Sequence, residues 1–386
     1  MAEAGYRVEV VGGWFDKDLK ARDQELVPRL KFQFTPVLDI VDKDRSKRFA
    51  VRLQRKVGEF VHMRGGFENT RQLGIFAPAL RRAACGSNAD LLIAHSEPAM
   101  AAVVAASRRR GCRVGVDMED WFSEDGTEEM RKRRPVRLLR SLEHYLLSAR
   151  THRSCTSRAM SAAFAAEFGC APPSVIYNAF EWSERRTLDG QIKDRRNLSL
   201  PSVHWYSQTI GEGRGLEDLF AALPFIEREV EVHLRGVPMA GFDVWLAEKV
   251  PAQWRERIFI HGLVSNPELL SRIAEHDIGL AAEMKNCRSR DLTVTNKILH
   301  YLLAGIAVVA SDTAGQREVA DQASGAVMIY PSGDPQALAA RLNTLLTSPE
   351  KLRAAKAAAL VAAEQTFCWE RQAPALLQSI EKALAA

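Results

Sequence analysis

The chain has 386 residues, 46% hydrophobic and 26% charged, with 24 Gly and 16 Pro. These ordinary globular proportions exclude collagen-like, disordered and coiled-coil chains, and at roughly 150 residues per domain the length fits two large domains. Lys+Arg number 53 against 48 Asp+Glu, a net charge of +5 that excludes nothing by itself.

No stretch approaches the roughly 18 consecutive apolar residues needed to span a bilayer. The opening MAEAGYRVEVV lacks a basic head, an apolar core and a small-residue cleavage site, so no signal peptide is expected. Six cysteines (Cys85, Cys112, Cys155, Cys170, Cys287, Cys368) lie far apart without a CxxC pair. They read as reduced, mostly buried small hydrophobes of a cytoplasmic protein rather than as a zinc site or disulfide scaffold.

The first half alternates short β-like runs with helical ones. RVEVVGG (7–13) reads as a strand ending in a tight turn. ADLLIAHS (89–96) reads as a second strand before the alanine-rich helix PAMAAVVAASRRR, and CRVGVDM (112–118) as a third, running into Glu119 and Asp120. PSVIYNAF, around Ile176, reads as an edge strand. Near-continuous apolar strands separated by helices indicate a parallel sheet covered on both faces.

Arg108, Arg109, Arg110, Arg131, Lys132, Arg133, Arg134, Arg137 and Arg140 all fall in this half. Such clusters attract phosphates, nucleic acid or an anionic membrane surface. With no zinc finger, RNA-binding sheet signature or interleaved aromatics, nucleic acid is not an expected partner. A solvated helix face and anionic-lipid contact stay open.

From about Glu181 to Pro201 the polar, charged run SERRTLDGQIKDRRNLSLP reads as an interdomain linker. Beyond it the alternation restarts. VHWYSQTIG is strand to loop and GLEDLFAALPFI helix. VEVHLRGV and IFIHGLV are strands, PELLSRIAEH helix, DIGLAAE strand, TNKILHYLLAG helix, then IAVVASD and GAVMIYP strands. DPQALAARLNTLL and the tail from Pro349 are helical. This is a doubly wound α/β pattern, whose ligands bind at the carboxyl ends of the strands.

Two segments carry chemistry. The loop from Thr209 to Gly215 follows a strand and precedes a helix; Gly211, Gly213 and Gly215 permit close backbone approach, and Arg214 offers a charge-assisted contact to phosphate. The spacing matches neither the dinucleotide fingerprint nor the GxxxxGK[ST] loop, so a plain turn is the competing reading. In TNKILHYLLAG the helix starts near Thr295, so Lys297 falls in its first turn, and Gly305 stops it. A cation there opposes the helix dipole. A bound diphosphate would compensate it; a lone exposed lysine is the alternative.

From Val203 to Leu346 the order of these elements resembles the nucleotide-sugar domain of the GT-B glycosyltransferases, specifically the retaining family 4. The match runs through Arg214 and Gly215, LRG, IFIHGLVSNPELL, DIGLAAE, TNKILHYLLAGIAVVASD, AGQREVA and GAVMIYPSGDPQALA. FCWERQ resembles that group's closing helix. AHSEPA, VDMEDWFSED, CTSRAMSAAF and SVIYNAF resemble acceptor-domain landmarks in the expected order. The resemblance implies two Rossmann-like domains facing across a cleft: an acceptor domain over 1–180, a linker over 181–201, a donor domain over 202–365, and a C-terminal helix over 366–386 crossing back to the first domain.

Departures accompany it. Family members open with a strand and glycine-rich loop before their first helix. This chain resembles the family from the end of that helix, so either its start is incomplete or the domain lacks its leading strand. The family's two glutamates fall at Leu292 and His300; Glu283 and Asp291 have the right spacing out of register. Thr209 stands where the family usually has arginine. A neutral His300 can hydrogen-bond a ribose hydroxyl but does not reproduce a carboxylate.

The resemblance implies transfer of a sugar from a nucleoside diphosphate sugar to an acceptor hydroxyl, with retention, and with no metal or other cofactor. Arg214, Lys297, the Gly211–Gly215 backbone and the turn at Thr293–Thr295 are expected to stabilise the leaving diphosphate, with Thr295 and Asn296 among the donor-binding residues. Glu283 or the backbone around Lys285 and Asn286 is the candidate contact to the transferred sugar. Glu119 or Asp120, then His95, are the candidates to orient the acceptor. Glu318 is expected to shape the donor pocket, and His261 to sit where the base is held. Implied partners are a glycan or lipid-linked acceptor and, through the Arg-rich first half, the cytoplasmic membrane face, as in surface-polysaccharide assembly. The competing readings are a catalytically weakened nucleotide-sugar-binding or scaffold protein, and another GT-B enzyme such as an epimerase or phosphorylase.

Overall fold

The computed structural model describes residues 1–41, 53, 56, 66–149 and 151–385. The chain divides into two compact units. The first comprises Met1–Cys155, Ser161–Val175 and Ala375–Ala386, the second Thr156–Met160 and Ile176–Pro374.

In the first unit, β1 (Glu9–Trp14) and β2 (Gln33–Asp39) pair in parallel around the helix Lys17–Leu26. A second parallel sheet runs in chain order through β3 (Leu91–Ala94), β4 (Arg113–Met118), β5 (Arg153–Cys155) and β6 (Ser174–Val175). The edge strand expected around Ile176 is this short β6. Ala94, Val116 and Met118 are fully buried beneath the helix Glu97–Arg110, whose small side chains Ala101, Ala102 and Ala106 allow close packing. That helix ends at Gly111, in the left-handed conformation with φ +67°. The helix Val136–Ser148 buries Leu139, Leu142, Leu146 and Leu147, an i, i+3, i+7, i+8 stripe. Among these strands, the sequence reading omits β2 and β5.

The second unit holds one six-stranded parallel sheet in the order β12-β11-β10-β7-β8-β9. The strands are β7 (Ser202–Ile210), β8 (Glu231–Pro238), β9 (Ile258–His261), β10 (Ile278–Ala281), β11 (Ala307–Ser311) and β12 (Val327–Tyr330). The chain starts in the middle, winds outward through β8 and β9, then returns to β10 on the other side of β7. The order therefore reverses between β7 and β10, and that switch point is where doubly wound sheets leave a crevice at the strands' carboxyl ends.

The two faces of β7–β9 differ in chemistry. Val203, Trp205, Val232 and Leu234 are fully buried in the apolar core, each such side chain contributing roughly 1.5–3 kcal/mol. The opposite face carries Ser202, His204 and Tyr206 on β7, in register with Glu231, His233 and Arg235 on β8. β7 and β8 thus alternate, with one apolar face and one buried polar face. The segment read as a linker covers it: Arg195 Nε donates to Glu231 at 3.0 Å and Nη1 to Asp277 at 3.2 Å, Asp194 pairs with Arg235, and Asp189 with Arg272 at 2.7 Å. Its charge reflects ion pairing rather than solvation.

Of the last helix, Trp369–Ala385, residues from Ala375 onward belong to the first unit, where Ser379 Oγ meets His152 Nδ1 at 2.8 Å. No helix among the described residues is long and apolar enough to cross a membrane.

Candidate functional site

The crevice at the switch point is framed by the loop after β7 and the residues after β10. Gly213 and Gly215 adopt φ +74° and +79°. A Cβ on Gly215 would stand 2.4 Å from the Ala282 carbonyl oxygen, so only glycine lets this loop lie against the end of β10. Gly211 packs against Met239, and the Gly213 N–H donates to Glu217 Oε1 at 2.5 Å. Arg214 is half-buried and makes no ion pair or side-chain hydrogen bond among the described residues. Thr209 Oγ1 is buried without a partner.

Facing this loop is the start of the helix Asn296–Ala304. Its N-cap, Thr295, makes no side-chain capping bond, and Thr295 Oγ1 is also buried without a partner. Asn296 is exposed. Lys297 Nζ donates to Glu283 Oε1 at 2.5 Å and lies 5.6 Å from the centre of the Trp205 ring. Arg290 Nη1 reaches the other oxygen, Glu283 Oε2, at 3.3 Å. Lys285 and Arg317 both pair with Asp312 at 2.9 Å. Burial opposes ionisation of Asp312, but the Ser332 N–H and the two cations hold it at about 2. The glycine loop, Lys297 and Arg290 thus gather around Ala282 and Glu283, just past the end of β10, a grouping of cations and loop backbone suited to an anion.

His300, one turn further along the helix, is almost fully buried. Its ring stacks on Phe180 with centroids 3.5 Å apart, and Nδ1 lies 2.8 Å from Tyr206 Oη. Burial pushes it down to about 3, so the ring is neutral at physiological pH. The neutral ring and the tyrosine hydroxyl share this one hydrogen bond, with the ring tautomer setting which of them donates.

His261 is drawn into the polar face of the sheet. Its Nε2 meets His233 Nδ1 at 3.0 Å, and its Nδ1 lies 3.4 Å from Asp194. Glu318 is engaged as well: its carboxylate accepts from the Arg158 and Ala159 N–H groups at 3.0 and 2.9 Å and from Tyr177 Oη at 2.9 Å. Asp291, the partner of Glu283 in spacing, caps another helix by accepting from Ala314 N at 3.1 Å.

In the first unit, Glu119 and Asp120 follow β4 directly, and His95 follows β3. His95 Nδ1 lies 3.2 Å from Asp117 Oδ2, and Ser154 Oγ donates to Asp117 Oδ1 at 2.6 Å. The Asp117 bond lifts the His95 value. Burial and the neighbouring Asp117 raise Glu119. His95, Asp117 and Glu119 bring their ligand atoms within 4.8 Å of one another, a donor set that could hold a divalent cation. The loop beyond is fixed by Glu143, fully buried, which accepts from Ser123 N at 2.8 Å and Ser123 Oγ at 2.5 Å. Sequence reasoning missed Asp117, Glu143 and Arg290. Asp117 alone carried a signal, as an acid inside an apolar strand.

Residues 1–179 match the family described as "Glycosyl transferase 4-like domain", and residues 204–348 match "Glycosyl transferases group 1". The chain is a GT-B glycosyltransferase. Similar solved structures include HepE from Anabaena in complex with UDP and glucose, 17% identical with a TM-score of 0.66, covering 99% of this chain and 100% of that one. Sucrose-phosphate synthase from Thermosynechococcus elongatus is 14% identical with a TM-score of 0.66, over 82% and 79% of the two chains. A trehalose-6-phosphate protein from E. coli bound with UDP-2-fluoro glucose is 11% identical with a TM-score of 0.64, over 97% and 99%. No curated protein matches the chain significantly.

In this glycosyltransferase, then, the crevice of the group 1 domain gathers Arg214, Lys297, Glu283 and the glycine loop, while Glu318 and His261 are held by other side chains. Glu318→Ala removes the acceptor for three donors, and we expect it to cost about 1–2 kcal/mol of stability. Urea unfolding measures that loss, and an unchanged midpoint would show that the carboxylate is not needed as a cap.

Proposed function

We propose that this glycosyltransferase moves a sugar from a nucleoside diphosphate sugar, a UDP-sugar first, to an acceptor hydroxyl with retention of configuration. The observation that carries the reading is the strand end at the switch point, where the glycine loop lies against Ala282 and Lys297 reaches the adjoining Glu283. As the bond between the anomeric carbon and the phosphate oxygen breaks, the electron pair stays on the diphosphate. In this reading Lys297, Arg214 and the loop N–H groups stabilise that growing charge. These cations supply the charge that a metal would otherwise bring, so the proposed transfer calls for none. UDP enters the reading because HepE binds it.

Glu119 and Asp120, with His95 beside them, are the proposed acceptor contacts, and the acceptor is a glycan or lipid-linked glycan of a surface polysaccharide or glycolipid. The proposed peripheral membrane contact rests on a narrower cationic set than the sequence suggests. Arg131 pairs with Glu124, Arg134 with Glu97 and Arg140 with Glu167, while Arg109 and Arg133 make no ion pair among the described residues.

A turnover screen with UDP-, GDP- and ADP-glucose tests this, run with and without a chelator and with and without an anionic membrane extract. Release of UDP that depends on the extract and survives the chelator, with a retained anomer by NMR, is the expected result. No release from any donor would overturn the reading.

A further inference from the structure

Lys297 is bound to a carboxylate in the place where the proposed function needs a phosphate. Glu283 is 5% exposed and holds both Lys297 and Arg290. Its backbone is clamped: the N–H donates to Ser311 Oγ at 2.8 Å, and the carbonyl accepts from Ser311 Oγ at 2.7 Å and Ser332 Oγ at 3.2 Å. Gln316, fully buried, donates to the same Ser311 hydroxyl at 2.8 Å. The main chain of Glu283 is therefore fixed, and the side chain can change partners only by rotating.

A single carboxylate does not saturate the site. Thr295 Oγ1 and Thr209 Oγ1 remain buried without partners, and Arg214 pairs with nothing among the described residues. An anion with more oxygens, spread over a longer span, offers acceptors that one carboxylate does not. Such an anion also competes with Glu283 for Lys297, since two anions beside one cation repel each other.

We propose that Glu283 is an exchangeable counter-ion. It keeps Lys297 paired and in position while the site is empty, yields it to the incoming diphosphate, and then turns its freed carboxylate to the hydroxyls of the transferred sugar. This rests on the donor-site reading above. It makes Glu283 a brake on binding of the bare diphosphate and a contact to the complete donor.

The test is calorimetric titration of inorganic pyrophosphate, UDP and UDP-glucose into wild type, Glu283→Gln, Lys297→Met and the double variant. The expected result is pyrophosphate and UDP binding about tenfold tighter in Glu283→Gln. The gain for UDP-glucose is smaller, because its sugar contact is lost, and the gain for UDP largely disappears in the Lys297→Met background. Equal or weaker UDP binding in Glu283→Gln overturns the exchange and leaves the donor site standing. An equal gain in both backgrounds also overturns it, since Glu283 would then act only as a repelling charge. No binding of any of the three ligands to wild type or Glu283→Gln overturns both readings. Should Glu283→Gln fail to fold, a crystal structure of wild type with pyrophosphate decides. Lys297 on a phosphate oxygen and released from Glu283 supports the exchange; an intact pair overturns it.

Discussion

Lys297→Met lowers transfer by roughly 100- to 1,000-fold, the usual cost of removing one preorganised group aimed at charge that develops in the transition state. The loss falls on kcat as well as on donor binding, because the diphosphate carries more charge as it leaves than in the ground state. Arg290, 3.3 Å from Glu283, cannot replace it, since it reaches the other carboxylate oxygen. The substitution also leaves Glu283 buried with one cation instead of two. A melting curve therefore accompanies the kinetics, separating a folded, inactive enzyme from a destabilised one. Retention of more than a tenth of wild-type kcat in a folded variant would remove Lys297 from the leaving-group site.

Acidification from pH 7.5 to 5.5 removes about 4 kcal/mol from the second unit through His204, His233 and His300 together. All three are nearly or fully buried, and burial drives each down: His300 and His233 to about 3, and His204 well below its ordinary value, with the neighbouring His276 adding to the effect on His204 and His233. The folded state keeps these rings neutral where the unfolded chain takes up protons below about 6.5. Stability is therefore full above that value and falls as pH drops through it, by about 1.4 kcal/mol per ring at pH 5.5.

Asp194, held low by His276 and Arg235 against its burial, loses its contribution only at far lower pH. Glu143 in the first unit runs the other way: burial lifts it to about 7, so its contribution grows as pH falls. Hydrogen exchange in β7 and β8 isolates the second unit. Protection that falls steeply between pH 7.5 and 5.5, after correction for intrinsic exchange rates, is expected. Flat protection would show that the rings are hydrated or already charged.

The alternation of elements was legible because most strands are apolar runs closed by glycine or acid, a local signal. β2 contains Pro36 and is only partly buried, and β5 is three residues long, so neither carries enough pattern to read. The glycine loop and Lys297 were legible for the same reason: spacing puts each at a strand end or a helix start. What the sequence hid is pairing at a distance. Glu318 looks like an ordinary helix residue until Arg158, 160 positions earlier, is seen donating to it. The Arg-rich stretch looks like a free cationic face because Glu97 and Glu167, which pair with Arg134 and Arg140, are scattered along the chain. The buried histidines sit at alternate strand positions, and their covering partners, Asp194 and His276, come from elsewhere.

In the proposed transfer, the end of the sheet between β7 and β10 binds the donor's diphosphate. A crystal structure with UDP shows whether it does. Phosphate oxygens are expected about 3 Å from Lys297 Nζ and from the Arg214 and Gly215 N–H groups, with the Arg214 side chain turned onto them. UDP bound elsewhere, with the Lys297–Glu283 pair and the glycine loop untouched, would contradict it.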